Sequence, residues 1–244
     1  MPSVRSAGFV QCVSALSVLV GALYGSSPLA LQRELFWFVP GLTEQFGSID
    51  IYLFDQLLRG RITPGMRILD AGCGGGRNLV YLLRMAASER YEIFGSDSDP
   101  HAIAAVRKLA AGLAPEIPAE NFRREPLEEM SFPEGFADVV ISSAVLHFAS
   151  SEDQFDAMLN ATWRVLKSGG LFFSRLASSI GIETRIQPIE GRRYLLPDGS
   201  ERYLVDEALL MGLTKRLGAR LLDPIKTTVV QNERSMTTWV LRKN

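Results

Sequence analysis

Cysteine and histidine are scarce in this sequence, two of each in 244 residues, and Cys12 and Cys73 stand far apart along the chain. A disulfide framework needs more cysteines, and a structural metal cluster needs Cys or His at ligand spacing. With no carboxylate trio at such spacing either, no metal is expected. Charge of one sign is also missing, since 26 basic side chains face 27 acidic ones. A nucleic-acid partner would show as a basic excess or stripe, whereas the local basic concentrations are short ones such as Arg192-Arg193 and Arg242-Lys243. There is no internal repeat and no low-complexity tract. These absences leave a globular protein with an ordinary apolar share of 47%, expected in the reducing cytosol, with neither nucleic acid nor a membrane as partner.

The first 48 residues form an N-terminal extension of different character. Ser6 to Gln32 carries no charge and includes the apolar run Val13 to Tyr24 behind Arg5. That run is short of the ~20 apolar residues a membrane span requires, and Pro28 sits where a cleavage site would follow. Phe9, Val13, Leu16, Val20 and Leu23 recur at spacings of three and four, which predicts a helix with one apolar stripe. A packing helix, a loosely ordered leader and an export or membrane signal are three readings that the residues leave open.

Residues 49–244 read as one α/β domain, because strand-like apolar runs alternate with amphipathic helical stretches. The strands expected in order are Arg67 to Asp70, Tyr91 to Gly95, Asn121 to Leu127, Ala137 to Ser142 and Leu171 to Arg175. Helices are expected over Asn78 to Ala87, His101 to Leu113 and Glu152 to Lys167. Asp99 caps the second of these with Pro100 in its first turn, where a missing N–H costs nothing. Gly169-Gly170 reads as the stop of the third. Beyond Arg175 the pattern changes. Tyr194 to Leu204 looks like a hairpin around Pro197-Asp198-Gly199, inserted near 183–205. Glu207 to Leu217 then reads as helix, and Leu221 to Val230 and Met236 to Leu241 as a closing antiparallel pair.

Asp70-Ala-Gly72-Cys-Gly74-Gly-Gly76 ends the first strand and opens a helix, the place where open α/β sheets bind ligands. Glycine there permits a tight turn and lets a ligand lie against the main chain. A dinucleotide fingerprint would place its third glycine at position 77, which is Arg77. The remaining D-x-G-x-G-x-G resembles the first motif of the class I S-adenosylmethionine-dependent methyltransferases, and the element order from Pro64 onward is similar to theirs. Phe132 to Asp138 and Trp163 to Gly170 resemble that family's approaches to strands four and five. Gly76-Arg77-Asn78 with the following Leu-Val-Tyr-Leu is similar to the tellurite-resistance methyltransferases within it.

The resemblance implies a Rossmann-like doubly wound sheet of seven strands, mostly parallel with an antiparallel last strand, in the order 3-2-1-4-5-7-6. It implies an enzyme with S-adenosyl-L-methionine as cofactor and a small-molecule methyl acceptor as partner. Cofactor contacts would come from Asp70, Gly72, Cys73, Gly74, Gly76 and Asn78, from Asp97 and Ser98 after the second strand, from Glu125, Pro126 and Leu127 after the third, and from Ser142 on the fourth. Asp97 would hold the ribose hydroxyls.

Each assignment has a plainer rival: the glycines could be turn residues alone, Asp97 could cap the next helix, and Cys73 could fill space. His147, after the fourth strand, could touch the acceptor or make a structural hydrogen bond. Phe46, Tyr52 and Phe54 could line an acceptor pocket or be core. The insertion and the helix around Ile49 to Leu58 are expected to close over the site as a lid. A binding module without catalysis and a dinucleotide-dependent oxidoreductase stay open as other functions.

Overall fold

The computed structural model describes residues 41–244, so the apolar run Val13 to Tyr24 lies outside the described residues. The chain divides between Gln45 and Phe46, and the unit Phe46–Asn244 carries all that follows. In chain order its strands are β1 (Arg67–Ala71), β2 (Glu92–Asp97), β3 (Phe122–Arg124), β4 (Ala137–Ser143), β5 (Leu166–Ala177), β6 (Gln187–Glu190), β7 (Arg193–Leu195), β8 (Glu201–Tyr203), β9 (Arg220–Leu221), β10 (Lys226–Val230) and β11 (Arg234–Arg242). Its helices are α1 (Ile51–Leu58), α2 (Val80–Arg84), α3 (Ala86–Glu89), α4 (Pro100–Leu113), α5 (Glu152–Val165) and α6 (Glu207–Arg216).

The main sheet runs β10-β11-β5-β4-β1-β2-β3, which is the expected order read from its other edge. Pairs β1–β2, β1–β4, β4–β5 and β2–β3 are parallel, and β11 is antiparallel to both β5 and β10. The strands are apolar on both faces because the sheet is covered on both. Ile68, Val139, Ile141, Phe173 and Val240 pack with α1, α2 and α4, while Leu69, Val140, Phe172, Trp239 and Leu241 pack with α5 and α6. Neighbours in each strand thus serve opposite cores, as period-two alternation requires.

Several expected boundaries move for physical reasons. Gly169-Gly170 is not a helix stop. α5 ends at Val165, the chain enters β5 at once, and the register jumps from Ala137↔Leu166 to Val139↔Leu171, so the glycines form a bulge. A Cβ on Gly170 would stand 2.6 Å from Leu166 Cδ1 and 2.8 Å from the Lys167 carbonyl oxygen. The helix expected over Asn78 to Ala87 divides at Met85 into α2 and α3. The strand expected over Leu221 to Val230 divides into β9 and β10, because Pro224 has no N–H and Asp223 is drawn into a charged cluster. The hairpin gains a third strand, β6, whose four residues are all exposed and so carry no alternating pattern.

In that cluster the Asp223 carboxylate accepts from Arg61 at 2.7 and 3.0 Å, Gln56 at 3.2 Å and Arg59 at 3.4 Å, tying α1 to the β9–β10 connection. Burial pushes this carboxyl up, but the Arg61 guanidinium, with Gln56 and Arg59, outweighs burial and holds it below the ordinary aspartate value. Asp223→Asn is therefore expected to cost about 1–3 kcal/mol of stability at neutral pH. A group whose folded pKa is depressed stabilises above its unfolded value and loses that contribution as pH falls through the folded one. Urea unfolding of both proteins at neutral pH and near pH ~3 checks this. The gap should narrow as pH falls toward the folded value, and one unchanged at pH ~3 would place the effect elsewhere.

Candidate active site

The loop after β1 is folded over the end of β2 by two hydrogen bonds, from Gly72 N (2.8 Å) and Cys73 N (2.9 Å) to the Ser96 carbonyl. Gly72, Gly74 and Gly76 have φ of +83°, +53° and +85°, conformations that side chains disfavour. Their surroundings divide them. A Cβ on Gly72 would lie 2.4 Å from Val145, and one on Gly76 2.8 Å from Leu109 and Val106, so these two permit packing. A Cβ on Gly74 would meet nothing within 4 Å, since that residue faces an open cleft.

Asp97 joins the loop to β2. One carboxylate oxygen accepts from Gly74 N at 2.8 Å and the other from Asp99 N at 2.9 Å, while Asp99 itself accepts from His101 N and caps α4. Each Asp97 oxygen keeps a lone pair for another donor. The cleft has a volume of about 840 Å³. It is lined by the loop with Asp97 and Ser98, by apolar Leu109, Pro126, Leu127, Val145, Phe148 and Met158, and by polar residues that include Ser48, Arg77 and Ser143.

Of the residues expected to bind cofactor, Gly72, Cys73, Gly74, Gly76, Asn78, Asp97, Ser98, Glu125, Pro126 and Leu127 line this cleft. Asp70 and Ser142 do not. Both are buried, Asp70 behind the loop, and Ser143 lines the cleft in place of Ser142 because adjacent strand residues point oppositely. Asn78 has its side-chain oxygen committed to Asp50 N at 3.0 Å, and Glu125 accepts from the Ser131 backbone and hydroxyl. The Cys73 thiol is pushed far up by burial, with Asp70 and Asp97 adding to it, which leaves it without nucleophilic character.

His147 does not face the cleft. Its ring is buried, and Nδ1 accepts from Ala177 N at 3.1 Å. Burial, with Arg202 adding, pushes the imidazole down to about 4, so it is neutral at physiological pH. The tight turn Leu146–Phe148 presents Phe148 instead, which is 60% exposed. Phe46, Tyr52 and Phe54 do not line the cleft either. Phe46 packs on Phe54 and Tyr81 at 4.9 and 5.1 Å, and Tyr52 Oη pairs with Thr228 Oγ1 at 2.8 Å. No residue of the insertion lines the cleft. Its Leu196 and Leu204 pack on Ala177, and it reaches the rim through Arg202, whose guanidinium lies 4.7 Å above the Phe148 ring.

The residue that the sequence reading missed is Asp50. It caps α1 through Tyr52 N, and its buried Oδ2 accepts from Ser143 Oγ at 3.2 Å and Arg175 Nη1 at 3.1 Å. Arg77 completes the network, donating to Ser143 Oγ at 2.9 Å and the Ser48 carbonyl at 3.3 Å. An Asp just ahead of an apolar helical stretch was a visible cap signal, but its partners on β4 and β5 are not encoded locally.

A family model described as a methyltransferase domain matches residues 69–174, the span from β1 to β5. Over that span the chain is similar to a methyltransferase domain. The sheet order and the glycine loop agree with the resemblance read from the sequence. An uncharacterized methyltransferase of Synechocystis is 32% identical over 46% of this chain and 47% of its own. A ubiquinone biosynthesis O-methyltransferase of Brucella anthropi is 30% identical over 67% of this chain and 64% of its own. The chain thus spans about half to two thirds of the length of these relatives. Among solved structures, a 1,6-didemethyltoxoflavin N1-methyltransferase of Burkholderia thailandensis, with its substrate and S-adenosylhomocysteine bound, superposes with a TM-score of 0.60 at 17% identity, covering 100% of this chain and 92% of that one. That likeness establishes the fold.

Asp97→Ala removes the loop's anchor together with a charged acceptor, whose hydrogen bonds are worth ~1.5–3 kcal/mol each. S-adenosylhomocysteine affinity should fall at least ~30-fold in calorimetry while circular dichroism stays unchanged. Gly74→Val, which fills the open face of the loop, should do the same. Near-normal affinity in either variant would put the ligand elsewhere.

Proposed function

We propose that this chain transfers the methyl group of S-adenosylmethionine to a small-molecule acceptor inside the cleft. The observation that carries the reading is the open face of Gly74 next to the Asp97 carboxylate, a bare main-chain surface beside a charged acceptor of two hydroxyls. The residues present fit the cofactor. Asp97 would take the ribose, Pro126, Leu127 and Met158 the flat adenine, and Gly72 to Gly76 the chain that bears the sulfonium. When bound, the cofactor supplies an already activated methyl group. The protein then has to orient the acceptor and exclude water, which proximity and alignment reward strongly.

The polar lining residues Ser48, Arg77 and Ser143 suit the acceptor, and the buried Asp50 ties them to β4 and β5 through Ser143 and Arg175. The neutral, buried His147 lies outside the cleft and moves no proton there. A cleft of about 840 Å³ lies within the range of small-ligand pockets, and it must hold the cofactor as well. Support also comes from the relatives, two of which are named for small substrates, and from the absence of a basic excess in the sequence. Among the described residues no helix is long and apolar enough to cross a membrane. A cytosolic location is part of the proposal and rests on the scarcity of cysteine.

An S-adenosylhomocysteine release screen over thiols, selenium and tellurium oxyanions, amines, carboxylates and phenols tests the reading, with turnover expected on at least one class. Turnover only on protein or RNA would overturn it. With the acceptor in hand, Asp50→Asn keeps the shape of the cap but loses the charge opposite Arg175. It is expected to lower kcat ~10- to 100-fold while cofactor affinity stays within a few fold. Equal losses in both would make Asp50 a general scaffold residue.

A further inference from the structure

Asp70 has no part in the contacts described so far. It is 1% exposed near the end of β1, and neither carboxylate oxygen meets a hydrogen-bond donor among the described residues. Opposite it in register are Gly95 of β2 and Ile141 of β4, which bring no charge. The charged groups that act on it are Arg77 at the far end of the loop and Asp97 on β2, and the titratable neighbour is the Cys73 thiol, which stays protonated. The two oppose each other, with Arg77 the stronger, and burial outweighs both. A buried carboxyl with no donor keeps its proton until a net positive charge arrives beside it. In agreement, burial, opposed by Arg77 and reinforced by Asp97, pushes its pKa up to about 7. The loop that begins directly after Asp70 is the one whose Gly74 faces the cleft.

The two ligands that alternate in this cleft differ in charge. S-adenosylmethionine has a sulfonium, an ammonium and a carboxylate, and is a net cation. Once the methyl group leaves for the acceptor, the electron pair of the broken C–S bond stays on sulfur, and the remaining thioether is net neutral. We propose that Asp70 reads this difference: it releases a proton to solvent when the sulfonium donor binds and takes one back when the donor has become the thioether, so that substrate is held more tightly than product. The inference rests on the cofactor reading of the cleft.

Proton release on binding makes affinity rise with pH up to the pKa of the free protein and level off above it. S-adenosylmethionine affinity should therefore increase roughly five- to eightfold between pH ~6 and ~7.5, while that of S-adenosylhomocysteine stays within about twofold. Calorimetry near pH ~6.5, where the ligand amine keeps its proton, in two buffers of different ionisation enthalpy counts the protons directly. More than half a proton released with S-adenosylmethionine and almost none with S-adenosylhomocysteine is the expected result. Asp70→Asn, a neutral isostere, should bind both ligands, release no proton and lose the pH dependence. Binding of S-adenosylmethionine to the unmodified protein without proton release, or equal release by Asp70→Asn, would overturn the inference and leave the cofactor reading standing. Absence of binding heat for both ligands would overturn the cofactor reading and this inference with it. Should Asp70→Asn fail to fold, the pH series on the unmodified protein decides alone.

Discussion

One hydrogen bond, from the Gly74 amide to the Asp97 carboxylate at 2.8 Å, joins the ends of the two neighbouring strands on which the cleft is built. It is charge-assisted and therefore stronger than a neutral pair. It can form only because Gly72 and Gly76 let the loop lie against Val145, Val106 and Leu109 without a Cβ between them. The loop is thus held from below by packing and from the side by a carboxylate, and its remaining face is bare main chain. A ligand meets a surface already shaped, so ordering that segment adds little to the cost of binding.

A second constraint acts across the cleft. Asp50 gathers Ser143, Arg175 and the start of α1 around one buried carboxylate, which accepts from β4, β5 and its own helix, while its backbone N–H donates to the side-chain oxygen of Asn78. A buried charge with a full set of partners is costly to disturb. Ser48 and Arg77 consequently have a fixed place relative to the strand ends. The inserted sheet β6-β7-β8 contributes differently: it packs on Ala177 and meets the cleft rim only where Arg202 stacks on Phe148, so it flanks the entrance rather than roofing it.

What the sequence made legible was whatever a local pattern encodes. The strands followed from alternating apolar runs and their order from the family resemblance, and the Asp99 cap and the glycine loop followed from residue types that those conformations demand. Four features stayed hidden because their causes are nonlocal. Ser142 and Ser143 differ only in which face of β4 they occupy, and both belong to a strand apolar on either side, so no alternation set the parity. The direction of His147 depends on a tight turn and on the Ala177 amide of another strand. Gly169-Gly170 has the composition of a helix stop, yet the neighbouring strand β4 makes it a bulge. Asp50 carried a cap signal, but its role comes from partners far along the chain.

If the clasp between β1 and β2 is the seat of the ligand, the Gly74 amide is its most direct reporter, because that N–H already lies on the carboxylate that would accept the ribose. The decisive measurement is a titration of the ¹⁵N-labelled protein with S-adenosylhomocysteine, followed by amide chemical shifts. The largest changes should fall on Gly72 to Arg77, Ser98 and Leu127, with Gly181 and Val229 at the far end of the sheet unmoved. Shifts centred elsewhere, or a Gly74 amide indifferent to saturating ligand, would contradict a cofactor held by this loop.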